Sequence, residues 1–215
     1  MNKKFWTWNV ACDEIIFFMT LTALIMIFTS KEAAKLASSG WEFLKYFTVL
    51  SNIFVGLCSA ISFIHLFIKK DAYPIWLSTL KMVSTTGVFV TFLTVAVYLG
   101  PLYGYLEMLK GAKLLLHLLI PVAAIIEFIF LIPNKENKFL TTVFGIVPVF
   151  LYGIFYLTNI AVNNGYGNVN YDWYQFGHFG LGIGILMFIM MLAISFGLTV
   201  ALYYLNRLIK INRAK

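Results

Sequence analysis

Charge is scarce in this sequence: 12% of its 215 residues are Asp, Glu, Lys or Arg. A soluble domain carries about a quarter, so a water-facing globular fold is excluded. Cysteine is nearly missing. Cys12 and Cys58 both fall at or within apolar stretches, which leaves no basis for a disulfide framework or a cysteine metal cluster. No histidine stands at a ligand spacing from a second histidine or a carboxylate, so neither a metal nor another cofactor is expected. There is no internal repeat, no low-complexity linker and no polar stretch long enough for a second domain.

What remains is apolar. Hydrophobic residues make up 61% of the chain and the mean hydropathy is +0.86. The net charge of +7 is best matched to anionic lipid headgroups rather than nucleic acid. Apolar runs at about 10–29, 46–68, 80–99, 114–132, 139–162 and 176–205 predict an all-α integral membrane protein, one domain of six transmembrane helices over residues 1–215. A cleaved signal peptide is disfavoured, because Asp13 and Glu14 sit where its apolar core would begin. Lys3, Lys4, Lys69, Lys70, Lys81, Lys135, Lys138, Arg207, Lys210, Arg213 and Lys215 fall on one side of this topology. Lys31, Lys35, Lys45, Lys110 and Lys113 fall on the other, so the basic-residue bias places both termini in the cytoplasm.

The fourth run, Leu114–Ile132, holds two ionisable groups, His117 and Glu127, where either costs about 2 kcal/mol or more if it faces lipid. Pro121 has no amide hydrogen, so the His117 carbonyl loses its helical donor and the helix is expected to kink beside the imidazole. The second run places Thr48, Ser51, Asn52, Gly56, Cys58, Ser59 and Ser62 within an arc of about 160°. Helix packing explains such a face without any chemistry, since small residues line membrane interfaces and hydroxyls bond their own backbone. Ser84, Gly87, Thr91 and Thr94 repeat the pattern in the third run, and Gly180 and Gly184 form a small-xxx-small step in the sixth.

Topology sharpens one part of this. The second, fourth and sixth helices all begin on the outer side, and Thr48 and His117 each fall about 5 Å inside that boundary at ~1.5 Å per residue. Gln175 and His178 are expected to open the sixth helix at a similar depth, with Asp172, Trp173 and Tyr174 closing over the site from the preceding loop. A hydroxyl is a poor nucleophile until a base takes its proton, and imidazole suits that task near neutral pH. Thr48 with His117 is such a pair; a packed histidine or part of an ion path is the competing reading. Glu127 lies about 15 Å deeper and cannot bond that imidazole, so it either holds helices together or contacts the far end of a cavity. His65 reads as an interfacial residue.

The run YFTVLSN (Tyr46–Asn52), followed by a helix with H-x-x-x-P and an acid ten residues past the histidine (His117, Pro121, Glu127), resembles the androgen-induced-gene family of six-helix membrane proteins and its bacterial relatives. The segments PVFLYGIFYLTNI (Pro148–Ile160) and YDWYQFG (Tyr171–Gly177) extend the likeness from about Tyr46 to the end. Animal members are intramembrane threonine hydrolases that cleave esters of fatty acids with hydroxy fatty acids. The resemblance implies Thr48 as nucleophile, His117 as its base, a fatty-acyl ester as substrate and a bacterial-type cytoplasmic membrane as location. The bacterial relatives carry a Trp-Tyr-Pro-Tyr-Pro-like stretch before the sixth helix, whereas Tyr171–Phe176 has no proline. Ser51 and Asn52 are then candidate oxyanion donors, with Glu127, Asp172, Tyr174 and His178 in support. The alternatives are a small ion-coupled transporter, which would lean on Glu127, and a non-catalytic membrane scaffold.

Overall fold

The computed structural model describes residues 3–29, 40–69, 73–133 and 137–212. It contains six helices long and apolar enough to cross a membrane. We label them α1 (Lys3–Thr29), α2 (Phe47–Lys69), α3 (Ile75–Thr94, continued by Val95–Leu99 and Gly100–Tyr103), α4 (Ala112–Leu114, Leu115–Leu119 and Ile120–Phe130), α5 (Phe139–Ile146 and Val147–Val162) and α6 (Leu181–Asn212). Large apolar side chains such as Phe18, Leu57, Ile64, Leu151 and Leu186 are exposed around the bundle, as lipid-facing helices require.

All five prolines punctuate these helices. Pro74 precedes α3 and Pro133 follows α4, where a missing amide hydrogen costs least. The other three lie inside spans, each just after a turn that leaves α geometry. Val95–Leu99 and Leu115–Leu119 are π turns in which the amides of Gly100 and Ile120 reach back five residues, and Pro101 and Pro121 follow. Phe139–Ile146 is a 3-10 segment ahead of Pro148. Each proline deprives the carbonyl four residues back of its donor, and the helix adapts by changing its hydrogen-bond register there. The bend expected beside His117 thus takes the form of a π turn centred on that residue.

The helix α3 is central. It packs against α2, α4, α5 and α6, and 56% of its best membrane-spanning window is buried, more than in any other span. Its small polar face explains this: Ser84, Gly87 and Thr91 are buried between neighbours, Thr86 bonds Thr199 of α6 at 3.1 Å, and Thr91 bonds Ser51 of α2 at 3.0 Å. At the end carrying the termini, the Trp6 indole donates to the Leu66 carbonyl at 3.0 Å. Asn206 of α6 donates to the freed carbonyls of Phe128 (2.5 Å) and Ile132 (2.8 Å) at the end of α4. Helix ends left without partners in lipid are therefore closed by side chains from neighbours.

Three expectations need correction. α3 begins at Ile75 rather than near residue 80, so Lys81 is a fully buried span residue and does not belong with the loop charges. α6 begins at Leu181, which leaves Gln175 and His178 in the preceding loop. Gly180 does not make a close helix contact; its φ of +94° turns the chain into α6, and nothing lies where its Cβ would be. Lys31, Lys35, Lys70, Lys135, Arg213 and Lys215, used in assigning sidedness, lie outside the described residues.

α5 and α6 approach closely at Gly145. A Cβ there would stand 1.8 Å from Thr199 Oγ1, and the Gly145 carbonyl accepts the Ser195 hydroxyl at 2.9 Å. Gly145→Val should overpack this contact and cost about 1–3 kcal/mol. Thermal unfolding in detergent, compared with the exposed control Leu151→Val, measures that loss.

Candidate functional site

The polar end opposite the termini is assembled from α2, α4 and the loop that leads into α6. The loop folds around Asp172, which is buried and accepts the amides of Gly167 (3.1 Å) and Gly177 (3.0 Å) and the Tyr156 hydroxyl. Asn164, Gly167, Gln175 and Gly180 take positive φ and supply its reversals. Asp172 therefore shapes the loop and is not free to act on a substrate. The loop presents Trp173 and Tyr174 to α2 and α5: Trp173 donates to the Tyr152 hydroxyl at 3.0 Å, and Tyr152 donates to the Lys45 carbonyl at 2.6 Å. Lys45 lies 5.5 Å from the ring centroids of both Tyr46 and Trp173, within cation–π range.

Tyr174 closes the start of α2. Its hydroxyl accepts the Phe47 amide at 3.0 Å, one of the donors that a helix N-terminus leaves unpaired. Burial pushes this phenol up to about 12, so it is a neutral O–H at physiological pH. His178, by contrast, is exposed, with its ring edge-on to Phe179, and does not join the cluster.

Thr48 and His117 enter from α2 and α4. The Asn52 side-chain amide links their surroundings, since its nitrogen donates to the Thr48 carbonyl at 2.7 Å and to the carbonyl of Leu116, the neighbour of His117, at 3.0 Å. His117 is buried, and its Nδ1 lies 2.7 Å from the Met108 carbonyl. A carbonyl only accepts, so a neutral His117 carries its proton on Nδ1 and leaves Nε2 as the basic atom. Thr48 is half-buried. Neither its hydroxyl nor His117 Nε2 makes a hydrogen bond among the described residues, and the two are not bonded to each other.

Both expected oxyanion donors are already engaged. Ser51 donates to the Thr48 carbonyl at 3.1 Å, so Thr91 must be the donor in the Ser51–Thr91 bond. Asn52 spends both amide hydrogens on carbonyls, and its Oδ1 is buried without a partner among the described residues. A groove of about 550 Å³ opens toward lipid between α1 and α4, lined by Glu14, Phe18, Thr22 and Leu115 among others; Thr48 and His117 do not line it.

Glu127 belongs to a second cluster, near the end carrying the termini. Lys81 Nζ lies 2.6 Å from Asp13 Oδ1, 2.7 Å from Glu127 Oε2 and 2.9 Å from Ser59 Oγ. Asp13 also accepts the Ser62 hydroxyl at 2.5 Å, and Ser62 lies 2.7 Å from the Tyr73 hydroxyl. All three charged residues are at most 1% exposed. Lys81 and Asp13 escaped the sequence reading because each lies close to a span end, where charges ordinarily face headgroups; their signal was a basic residue and two acids within the apolar runs at compatible depth.

Comparison with known proteins finds no matching family model, no similar curated protein and no similar solved structure.

Two outcomes follow from these geometries. Lys81→Met leaves the buried carboxyl groups of Asp13 and Glu127 without their cation and should destabilise the bundle by about 3–5 kcal/mol. Restoring balance with Asp13→Asn and Glu127→Gln in the same chain should recover most of it, as read from unfolding in detergent. Separately, the folded Tyr174 keeps its proton to about pH 12, whereas an unfolded tyrosine releases it near about pH 10. The folded state then binds more protons across that window, so stability falls as pH rises through it, and Tyr174→Phe should reduce the alkaline part of the loss.

Proposed function

We propose that this protein is an intramembrane lipid esterase in which Thr48 is the nucleophile and His117 its general base and acid. The observation that carries the reading is the Asn52 amide, which clasps the Thr48 and Leu116 carbonyls and so holds the start of α2 beside the π turn of α4. Support also comes from the two reactive atoms: the Thr48 hydroxyl and His117 Nε2 are left without partners among the described residues, while Nδ1 is oriented by Met108. This is the tautomer a general base requires, with a backbone carbonyl in the orienting role.

In this mechanism an acyl ester enters from the leaflet at the end opposite the termini, which the positive-inside bias makes the outer one. His117 Nε2 takes the Thr48 proton as Oγ1 attacks the ester carbonyl, and returns it to the departing alcohol. Water, deprotonated by the same nitrogen, then releases the fatty acid and restores Thr48. Ser51 and Asn52 do not stabilise the oxyanion in their present bonds, so the Tyr174 hydroxyl, at the first turn of α2, is the donor we assign to that role.

An ion-coupled carrier is the second reading, favoured by the buried Lys81–Asp13–Glu127 cluster. A fluorophosphonate-type probe and a fatty-acyl hydroxy-fatty-acid ester separate the two. The esterase should be labelled and should turn over the ester in detergent, with both signals lost in Thr48→Ala and in His117→Ala. Labelling that survives either substitution sinks the dyad, and pH-driven flux in liposomes without ester turnover selects the carrier.

A further inference from the structure

The buried cluster has an uneven hydrogen-bond count that its geometry makes informative. Lys81 has three N–H bonds to offer and three acceptors, so it is an ammonium with every proton placed. Asp13 accepts at both oxygens, from Lys81 and from Ser62. Since Ser62 gives its proton to Asp13, Tyr73 must be the donor to Ser62. Glu127 differs: Oε2 accepts from Lys81, but Oε1 is buried with no hydrogen-bond partner among the described residues. One ammonium facing two carboxylates leaves one negative charge in excess, and a bare buried carboxylate oxygen is strongly unfavourable.

Among the described residues, no neighbouring element supplies the missing positive charge. α1 adds the Cys12 thiol, and the adjacent Glu14 is exposed. α2 adds the Cys58 thiol and the α2–α3 connection adds the Tyr73 phenol. α6 carries Arg207, whose guanidinium bonds the Tyr203 hydroxyl and lies over that ring. The titratable groups of α5, Tyr152 and Tyr156, are engaged at the opposite end.

We propose that Glu127 Oε1 is a proton-binding site, filled and emptied from the end of the bundle that carries the termini through the chain Tyr73, Ser62, Asp13 and Lys81. The proton enters at Tyr73, which is 8% exposed on the α2–α3 connection and donates inward to Ser62. In net, one proton is taken up, the Glu127 carboxylate becomes a carboxylic acid, and every relay group ends with the protonation it began with. Lys81 hands the proton facing Oε2 to Glu127 and is reprotonated by the one that Tyr73 and Ser62 pass to Asp13; the carboxyl then turns about its Cγ–Cδ bond to exchange its oxygens, which leaves the cluster neutral and the O–H at the open Oε1 position. The buried Thr85 hydroxyl, one helical turn past Lys81, also lacks a partner among the described residues, so a second open polar atom lies on the same face of α3. The site does not depend on Thr48 or His117 and stands whichever reading of that pair holds.

Infrared difference spectroscopy of the full chain in lipid nanodiscs tests this, with carboxyl-13C glutamate incorporated to mark the band. At neutral pH the wild type should show the carbonyl stretch of a protonated carboxylic acid that moves with the glutamate label and shifts in D2O. Glu127 is the buried glutamate among the described residues, so a labelled wild type without the band overturns the site even where Glu127→Gln fails to fold. Where that variant folds, the band should vanish. Tyr73→Phe should slow the D2O shift at least tenfold while leaving the band in place. A wild-type spectrum without a glutamic-acid band, or a band retained in Glu127→Gln, overturns the site; a D2O shift as fast in Tyr73→Phe overturns the path.

Discussion

The ammonium of Lys81 is the constraint around which the bundle is organised. A lone charge in the interior of a membrane protein would be expelled toward an interface or neutralised, so its three bonds dictate which helices come together. Asp13 brings α1, Ser59 brings α2 and Glu127 brings α4 to the same point on α3. Tight apolar packing surrounds it, with Leu77, Met82, Phe128 and Leu202 in one buried cluster. Lipid offers helices little hydrophobic reason to associate, and here the satisfied charges and the close contacts at small residues supply the specificity.

The opposite end is built by another logic. Apart from those to the Asp172 carboxylate, its bonds join phenols to a backbone carbonyl and amide and an indole to a phenol, arranged so that the loop before α6 covers the start of α2. Two π turns, both followed at one residue's remove by proline, lie in this half of α3 and α4. A π turn changes where side chains point without breaking the helix, and the one in α4 sets His117 against Met108 of the preceding connection. The same residue could not hold that position in a straight helix whose proline left its carbonyl bare.

The number of spans was legible because hydropathy over a bilayer-length window is a one-dimensional property. Pairing is not. Ser51 and Asn52 sit on the expected face of α2, yet their hydrogens go to carbonyls that only the folded neighbours bring into reach. Lys81 was misjudged by the five or so residues that separate a hydropathy boundary from a true helix start, because Pro74 permits α3 to begin before its apolar run does. His178 reads as helical because Phe176 and Phe179 carry the aromatic pattern up to the apolar run of α6; the turn at Gly180, decided by backbone conformation, ends the loop after them. The depth difference between His117 and Glu127 was readable from spacing alone, and it separates the two polar clusters.

That separation limits what either cluster can do for the other. A proton on Glu127 is about three helical turns from His117 at ~1.5 Å rise per residue, too far for direct transfer. Both residues nonetheless belong to α4, with His117 at the centre of the π turn and Pro121 between it and Glu127. A helix free of i−4 bonding at one carbonyl is the natural place for its two halves to move independently. Charge at the deep end therefore fixes the lower half of α4 against α1 and α3, while the upper half is held by the neutral bonds to Asn52 and Met108 and by apolar packing of Leu116 and Ile120 against α1 and α2. The entrance we propose for a substrate thus lies at the end where α4 is held by neutral hydrogen bonds and apolar packing, while charge ties α4 at the other end.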